Sequence, residues 1–487
     1  MLEMQRRMSR GFLVLLALPA TAMGFALCVQ ISALSWILAT RYGLHIDEIG
    51  LVWAAGPLAG IIGQLLIGVV SDGVWIWGGR RRAFIVGGGV ITALMILALP
   101  WMGAIAHALG GVPLLGVAIA VALGLDLAIN IGFNPTRSII TDVTREGAQR
   151  TRGYTWMQTV SGTFGVLAYA IGAVFDNYVL IYCAVGLVLV FSVIPGVLVA
   201  EPRELPGAAP AGAAPAHGPG PGRLLVILLP LWGYLAYDVA GMALKVAGLG
   251  LTTLEPEIAF GVATAVVVAI TLAARDRGPQ HAKEDLVEFR KVLAAHAFTW
   301  VGVQAMFVYM FSVVQYRFPQ LDTGAAGGLL ARAFLVLSAV AAILPSTVLE
   351  PLALRLGQVR VHAGCLFIMA LGYAGLYFLG TTPLAITLLM AVLGVGWASI
   401  VSLPFAIMSQ RVESSRIGLF MGVFNLSIVL PQLFVSLGLG PILDRTQDKA
   451  LMFLLCAAAL LVSAIAWLFV RHGDPATPSA APGAAAH

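Results

Sequence analysis

The sequence predicts an all-α polytopic membrane protein, and three observations predict it. Apolar runs of about 20 residues recur along nearly the whole chain, the length one helix needs to cross roughly 30 Å of hydrocarbon. Hydrophobic residues make up 60% of the 487 and charged residues only 10%. A soluble domain carries about 25% charge, so this chain could not cover a soluble surface of its size. Finally, the cations gather in alternate loops between the runs, as orientation in a bilayer requires.

Taken in order, the apolar runs are 12–38, 49–71, 83–106, 112–134, 154–175 and 178–199; then 224–247 and 257–274; then 292–316, 328–350, 361–380, 383–408, 417–440 and 450–471. The first follows Arg6, Arg7 and Arg10 as a secretory signal would. It is too long for a signal core and is read as a retained helix. Residues 201–223, built of Ala, Pro and Gly, read as a flexible linker. A charged stretch from Arg275 to Lys291 follows the extra pair, and the tail 473–487 reads as disordered. The expected organisation is therefore an N-terminal six-helix half (1–200), the linker, an extra helix pair with its charged loop (224–289) and a C-terminal six-helix half (290–472). That makes about fourteen transmembrane helices.

Loop charge supports this count. Arg80, Arg81 and Arg82, then Arg145, Arg150 and Arg152, Arg203 and Arg223, Arg275, Arg277 and Lys283, Arg355 and Arg360, and Arg411 and Arg416 fall on one side. The other side holds few cations: Arg41, Lys245, Arg317, Arg445 and Lys449. The positive-inside rule then places both termini in the cytoplasm. The net charge of +5 is read as membrane orientation, with no nucleic-acid partner expected. Cys28, Cys183, Cys365 and Cys456 lie in apolar runs without metal-ligand spacing and read as free, buried, small hydrophobes.

Asp126 is the sharpest single feature. It lies deep in the fourth run, where an ionised carboxylate needs a partner, water or a proton. Arg137 is 11 residues on, which at about 100° per residue returns to within roughly 20° of the same face, about 16 Å along the axis. Asn130 and Asn134 share that face, so one stripe presents Asp126, Asn130, Asn134 and Arg137. Pro135 within it removes a backbone hydrogen bond and frees the carbonyl of Ile131. Exposed carbonyls at membrane depth belong to cavity walls, so the stripe reads as one side of a solute pathway. The alternative is a static Asp126–Arg137 ion pair that holds helices together. Gln30, Tyr154, Gln158, Gln304, Tyr309, Asn425 and Gln432 are further candidates for the same cavity, each with a helix-packing alternative. Asp238, in the first extra helix, is set aside because it lies outside both six-helix halves.

A second cluster lies at the cytoplasmic edge. Gly68 and Asp72 precede Arg80, Arg81 and Arg82, and Glu350 with Arg355 echoes them after the second run of the other half. Pro135, Arg150 and Gly153 are echoed by Pro404, Arg416 and Gly418. Such a network can hold helices in one conformation and release them in another; plain positive-inside anchoring is the alternative. No nucleophile–His pair, phosphate loop or metal-ligand cluster argues for an enzyme.

Several stretches together resemble a known family. Gly68-Val-Val-Ser-Asp72 with Gly79-Arg80-Arg81-Arg82 looks like the loop signature of the major facilitator superfamily. More specific are Gly56-Pro57-Leu-Ala-Gly60, the stretch from Asp126 to Arg137 followed by Thr141-Asp142, and Asn425-Leu-Ser-Ile-Val-Leu-Pro-Gln432 with Ser436. Over roughly 11–200 and 290–471 the chain resembles the sucrose/proton symporters of plants and their bacterial and animal relatives, among the glycoside–pentoside–hexuronide transporters. The resemblance implies a major facilitator fold with the site between two six-helix halves. It further implies proton-coupled symport of a sugar, a disaccharide such as sucrose or maltose. Asp126 would be the proton acceptor, Arg137 its partner and a sugar ligand, and Asp142 part of the gating set. Plant members carry an acid in the seventh core span, whereas Phe307 to Ser312 holds none here. His45 lies near, but not at, the position of a plant loop histidine, and the extra pair departs from the twelve-helix plan.

The expectation is thus a secondary transporter with no cofactor other than the proton as coupling ion. It would act as a monomer in a lipid bilayer, in a bacterial inner membrane. A sodium-coupled or non-sugar carrier, or a non-transporting sensor or assembly factor with the same fold, is the alternative.

Overall fold

The computed structural model describes residues 3–60, 75–144, 148–202, 221–246, 255–274, 286–409, 411 and 417–471. Gly68 and Asp72, nearly all of the expected linker and the tail lie outside the described residues. The described residues fold almost entirely into helices, with one isolated bridge among them between Ile76 and Gly79.

After a short turn at Glu3–Arg6, the first half contains α1 (Arg10–Thr40), α2 (Ile46–Trp53, helical again over 55–60), α3 (Arg82–Ala108), α4 (Leu114–Val143), α5 (Ala148–Val174) and α6 (Asn177–Leu198). The extra pair follows as α7 (Trp232–Val246), preceded by the short helices Pro221–Ile227 and Leu229–Leu231, and α8 (Glu255–Ala273). The second half contains α9 (Leu286–Arg317), α10 (Thr323–Leu344), α11 (Gln358–Leu379), α12 (Pro383–Ser409), α13 (Ile417–Arg445) and α14 (Leu451–Trp467). Among the described residues ten helices are long and apolar enough to cross a membrane, and Ala259–Ala273 and Leu451–Trp467 are shorter apolar helices. The run expected at 49–71 leaves the described residues at 60, and that expected at 224–247 is interrupted at Leu229–Leu231.

Several helix ends are closed by side chains, which satisfy backbone groups the helix leaves unpaired. Ser9 accepts from Phe12 N at 3.2 Å at the start of α1, Asp176 from Val179 N at 2.7 Å at α6, and Asp322 from Ala325 N at 2.7 Å at α10. At the end of α9, Arg317 donates to the carbonyls of Tyr377 at 2.6 Å and Gly380 at 2.9 Å, covering the last turn of α11.

The polarity of the surface is that of a lipid-embedded protein. Leu94, Leu198, Val262, Ile270, Phe378, Leu384 and Leu388 are among many large apolar residues exposed around the bundle. The interior centres on α9, buried along almost its whole length from Phe289 to Val314. Small residues let the helices close up, as where Gly88 of α3 faces Ala128 O and Gly132 N of α4. Cys365 and Cys456 are buried and Cys28 half-buried, but Cys183 is exposed on α6, because an apolar run facing lipid has no need to bury every face.

The two halves meet near the ends of α1 and α9. Ser35 Oγ donates to Val308 O at 2.9 Å, Trp36 Nε1 donates to Thr323 O at 2.8 Å, and Tyr169 stacks on Phe334 at 5.8 Å. The starts of α1 and α9 therefore lie on one side of the bundle, and these joining contacts towards the other.

Candidate functional site

The site is built outward from Asp126. Its carboxylate is 7% exposed at the middle of α4. Gln30 of α1 donates its amide to Asp126 Oδ2 at 2.9 Å. Gln30 opens a π-helical turn, Gln30–Leu34, a local widening that re-aims side chains and is frequent at functional sites. Behind the carboxylate lies Gly56, where a Cβ would fall 3.1 Å from Oδ2 and 3.3 Å from the carboxyl carbon. The helical turn after α2 thus leaves the acid its room by carrying no side chain there.

The rest of the stripe follows the expected register, but its two charges do not meet. Arg137 is exposed, with its guanidinium over the ring of Phe133 at 4.8 Å. No Asp126–Arg137 ion pair forms among the described residues. Three helical turns separate the two Cα atoms, more than the two side chains can span. Asn130 uses its amide on Asp126 O at 2.8 Å, and Tyr154 Oη donates to Arg137 O at 3.2 Å. Gln158 is exposed one turn beyond Tyr154 on α5. The side chain of Asn134 lies outside the described residues. An arginine exposed inside a spanning helix faces water far more cheaply than lipid.

In the second half, Gln304 is buried and donates to Ser436 Oγ at 3.3 Å, joining α9 to α13. Tyr309 is fully buried, its Oη donating to Val435 O at 3.4 Å and lying against Gly50 and Gly440. It sits among packed backbones and is no wall of an open cavity. Asn425 and Gln432 are half-buried on α13.

Sequence reasoning missed an aromatic group in the second half. Trp397 of α12 meets Trp300 edge-on at 6.1 Å and Phe307 at 5.5 Å, with Phe307 also 5.9 Å from Phe334. The tryptophans are only half-buried. Nothing in an apolar run separates such a tryptophan from an ordinary packing residue. It also missed Trp53, which donates to Ser35 Oγ at 2.8 Å, extending the Ser35–Val308 link into α2.

At the other end of α4, part of the expected gating cluster assembles. Arg81 Nε contacts Asp142 Oδ2 at 3.1 Å with both side chains buried. The backbone N–H groups of Arg80, Arg81 and Arg82 donate to the Glu201 carboxylate at 2.7, 2.8 and 2.8 Å, capping the start of α3. Arg82 also donates to Val199 O at 2.9 Å, and Gln5 exchanges hydrogen bonds with Ala200. Glu201, taken as the first linker residue, is thus fixed to the first half. Glu350 and Arg355 are exposed, and no ion pair joins them among the described residues.

Comparison with known proteins follows this geometry. A family model described as the Major Facilitator Superfamily matches residues 14–436. The sucrose transport protein SUC4 of Arabidopsis thaliana is 25% identical over 483 residues, covering 89% of this chain and 84% of that protein. The sucrose transport protein SUT2 of Oryza sativa subsp. indica is 25% identical over 460 residues, covering 82% of this chain and 81% of its own. A general alpha-glucoside permease of Schizosaccharomyces pombe is 30% identical over 178 residues, 34% of this chain and 31% of that one. Among solved structures, the inward-open xylose transporter XylE from E. coli superposes with a TM-score of 0.62 at 12% identity, covering 95% of this chain and 97% of that chain. The POT family transporter PepTSo gives 0.63 at 14% identity, covering 94% and 97%. These structural likenesses concern the fold.

Proposed function

This chain belongs to the Major Facilitator Superfamily, and from that premise we propose that it is a secondary transporter, not an enzyme, carrying a disaccharide such as sucrose or maltose in symport with protons. The observation that carries the reading is the Asp126 carboxyl, buried in the middle of α4, held by Gln30 and given room by Gly56. A packing residue needs neither a titratable group at that depth nor a glycine cut to fit it.

In this reading Asp126 takes the coupling proton. Gln30 and Asn130 fix it and its turn of helix, and Arg137 offers its guanidinium to sugar hydroxyls from its exposed position. The half-buried rings of Trp300 and Trp397 present flat apolar surfaces suited to the C–H faces of a sugar ring, while Gln432 and Asn425 offer amide donors and acceptors. The loaded carrier rocks about the site, and the link through Trp53, Ser35 and Val308 belongs to the state in which the halves are joined beyond it. The similarity to sucrose transport proteins over most of both chains supports a sugar as cargo. We further infer fourteen membrane crossings, counting α2, α7, α8 and α14, with both termini cytoplasmic in a bacterial inner membrane and the monomer as the working unit.

The test is external pH in lightly buffered proteoliposomes when sucrose or maltose is added. Transient alkalinisation with the wild type that disappears with Asp126→Asn is expected. Uptake without any pH change would replace proton coupling by sodium coupling or facilitated diffusion. Absence of disaccharide binding or movement would remove the sugar assignment.

A further inference from the structure

Asp238 sits in the middle of α7, in the extra helix pair, and is 2% exposed. Neither carboxyl oxygen has a hydrogen-bond partner among the described residues. Its neighbours in sequence show what surrounds that part of the helix. Tyr234 meets Phe298 of α9 and Phe434 of α13 edge-on at 6.4 and 5.5 Å. Tyr237 meets Phe260 of α8 at 5.7 Å and Phe434 at 4.8 Å, and a Cβ on Gly438 of α13 would fall 2.6 Å from its hydroxyl. Tyr237 also shares one apolar cluster with Ala54 of the first half and Leu433 and Leu437 of the second, edged by Leu51 and Leu58. The extra pair therefore lies across the seam between the halves, touching both.

We propose that Asp238 is a second proton-binding site, distinct from the Asp126 site, and that α7 docks over the seam with Asp238 as the neutral acid. An unpaired carboxylate in so apolar a place costs several kcal/mol or more, which a proton removes. α9, which Tyr234 meets at Phe298, carries the buried His296 and Tyr309, and α2, which joins the Tyr237 cluster at Leu51, carries Asp47 and Glu48. The described side chains of α8, from Ala259 to Ala273, include no titratable group, nor do those of α13 from Phe420 to Leu443, nor Leu229–Leu231. On α7 itself the titratable residues are Tyr234, Tyr237 and Lys245, the last seven positions away in the final helical turn. Among the described residues no group of three or more His, Cys, Asp or Glu side chains gathers to hold a metal ion, so the proton is the simpler occupant. Docking across the seam then depends on protonation: it is complete at low pH and weakens as pH rises and Asp238 ionises.

The experiment uses the full-length protein in an Asp126→Asn background, which leaves Asp238 as the buried acid under study and makes the result independent of the transport reading. Infrared difference spectra between about pH 6 and about pH 9 should show a carboxylic-acid C=O band that Asp238→Asn abolishes. The melting temperature should fall with pH in the background protein, with a shallower slope after Asp238→Asn. If no C=O band is lost on the substitution, or if the slope is unchanged, the proposal fails. A band that appears only when Lys245→Met is added would show an ion pair and also overturn it. Should Asp238→Asn fail to fold, loss of the band with rising pH in aspartate-labelled background protein decides the question.

Discussion

The side-chain amide of Gln30 reaches Asp126 Oδ2 at 2.9 Å from the first residue of a π-helical turn, joining positions 96 residues apart in the chain. The bond ties the first helix to the fourth at a carboxyl buried in the middle of α4, so movement of α1 is felt directly at that acid.

Gln30→Ala removes the donor and leaves the carboxyl to find another. A hydrogen bond of this kind contributes about 1.5 kcal/mol, so sugar uptake should fall roughly tenfold. The melting temperature should move by no more than a few degrees, because no cavity large enough to loosen the core is made. Uptake kinetics measured beside a melting curve check both parts, and an unchanged uptake rate would detach Gln30 from the site.

Gly56→Val should abolish uptake and Gly56→Ala should reduce it. A Cβ here stands 3.1 to 3.4 Å from all three carboxyl atoms of Asp126, tighter than ordinary contact, and the branched side chain adds atoms in the same place. Proteoliposome uptake with a matched fluorescence check on folding tests this. Full activity of Gly56→Val would mean that the acid has room to move away without loss.

The Arg81–Asp142 pair is buried on both sides, so removing one partner leaves a buried charge. Asp142→Asn and Arg81→Met should each destabilise by about 3–5 kcal/mol, and the double variant Arg81→Met/Asp142→Leu by less than either alone. Glu201→Gln weakens the cap on three N–H groups and should cost about 1 kcal/mol. Thermal unfolding of purified protein ranks the four.

Gly440 lies where a Cβ would come within 2.8 Å of the Asp47 backbone and 3.1 Å of the Tyr309 hydroxyl. Gly440→Val should therefore push the halves apart at that end. A cysteine introduced at Ser35, buried in the joined state, should react faster with a soluble thiol reagent in this variant. Equal labelling rates would show that the contact does not hold the halves together.

Trp397→Ala removes a half-buried ring that touches both Trp300 and Phe307. Under the sugar reading it should raise KM about tenfold or more, while Trp397→Phe keeps most of the stacking surface. Similar KM values for both variants would take this ring out of the site.

Much of this was legible in the sequence because hydrocarbon imposes simple rules. Ten of the expected spans coincide with helices long enough to cross, since a run of about 20 apolar residues has few other options. The helix stripe placed Asp126, Asn130 and Arg137 in their true register, since helical periodicity is local. Partners were harder to see. Glu201 follows an apolar run and begins a Pro/Ala-rich stretch, and only folding brings it to the start of α3. Asp126 and Arg137 share a face and look like a pair, yet the rise of three turns keeps them apart.

The sequence by itself determined the membrane class, the helix faces and the rarity of charge that makes Asp126 and Arg137 worth following, because those properties depend on local periodicity and on the cost of burying charge; it set Asp238 aside, and only the structure showed that residue buried and unpartnered among the described residues. Only the tertiary structure decided who meets whom: Gln30 and Gly56 at Asp126, Glu201 at Arg80–Arg82, and α7 over the seam beside Ala54 and Leu433. Such meetings depend on distances of a few ångströms between segments far apart in the chain, and no local pattern encodes them.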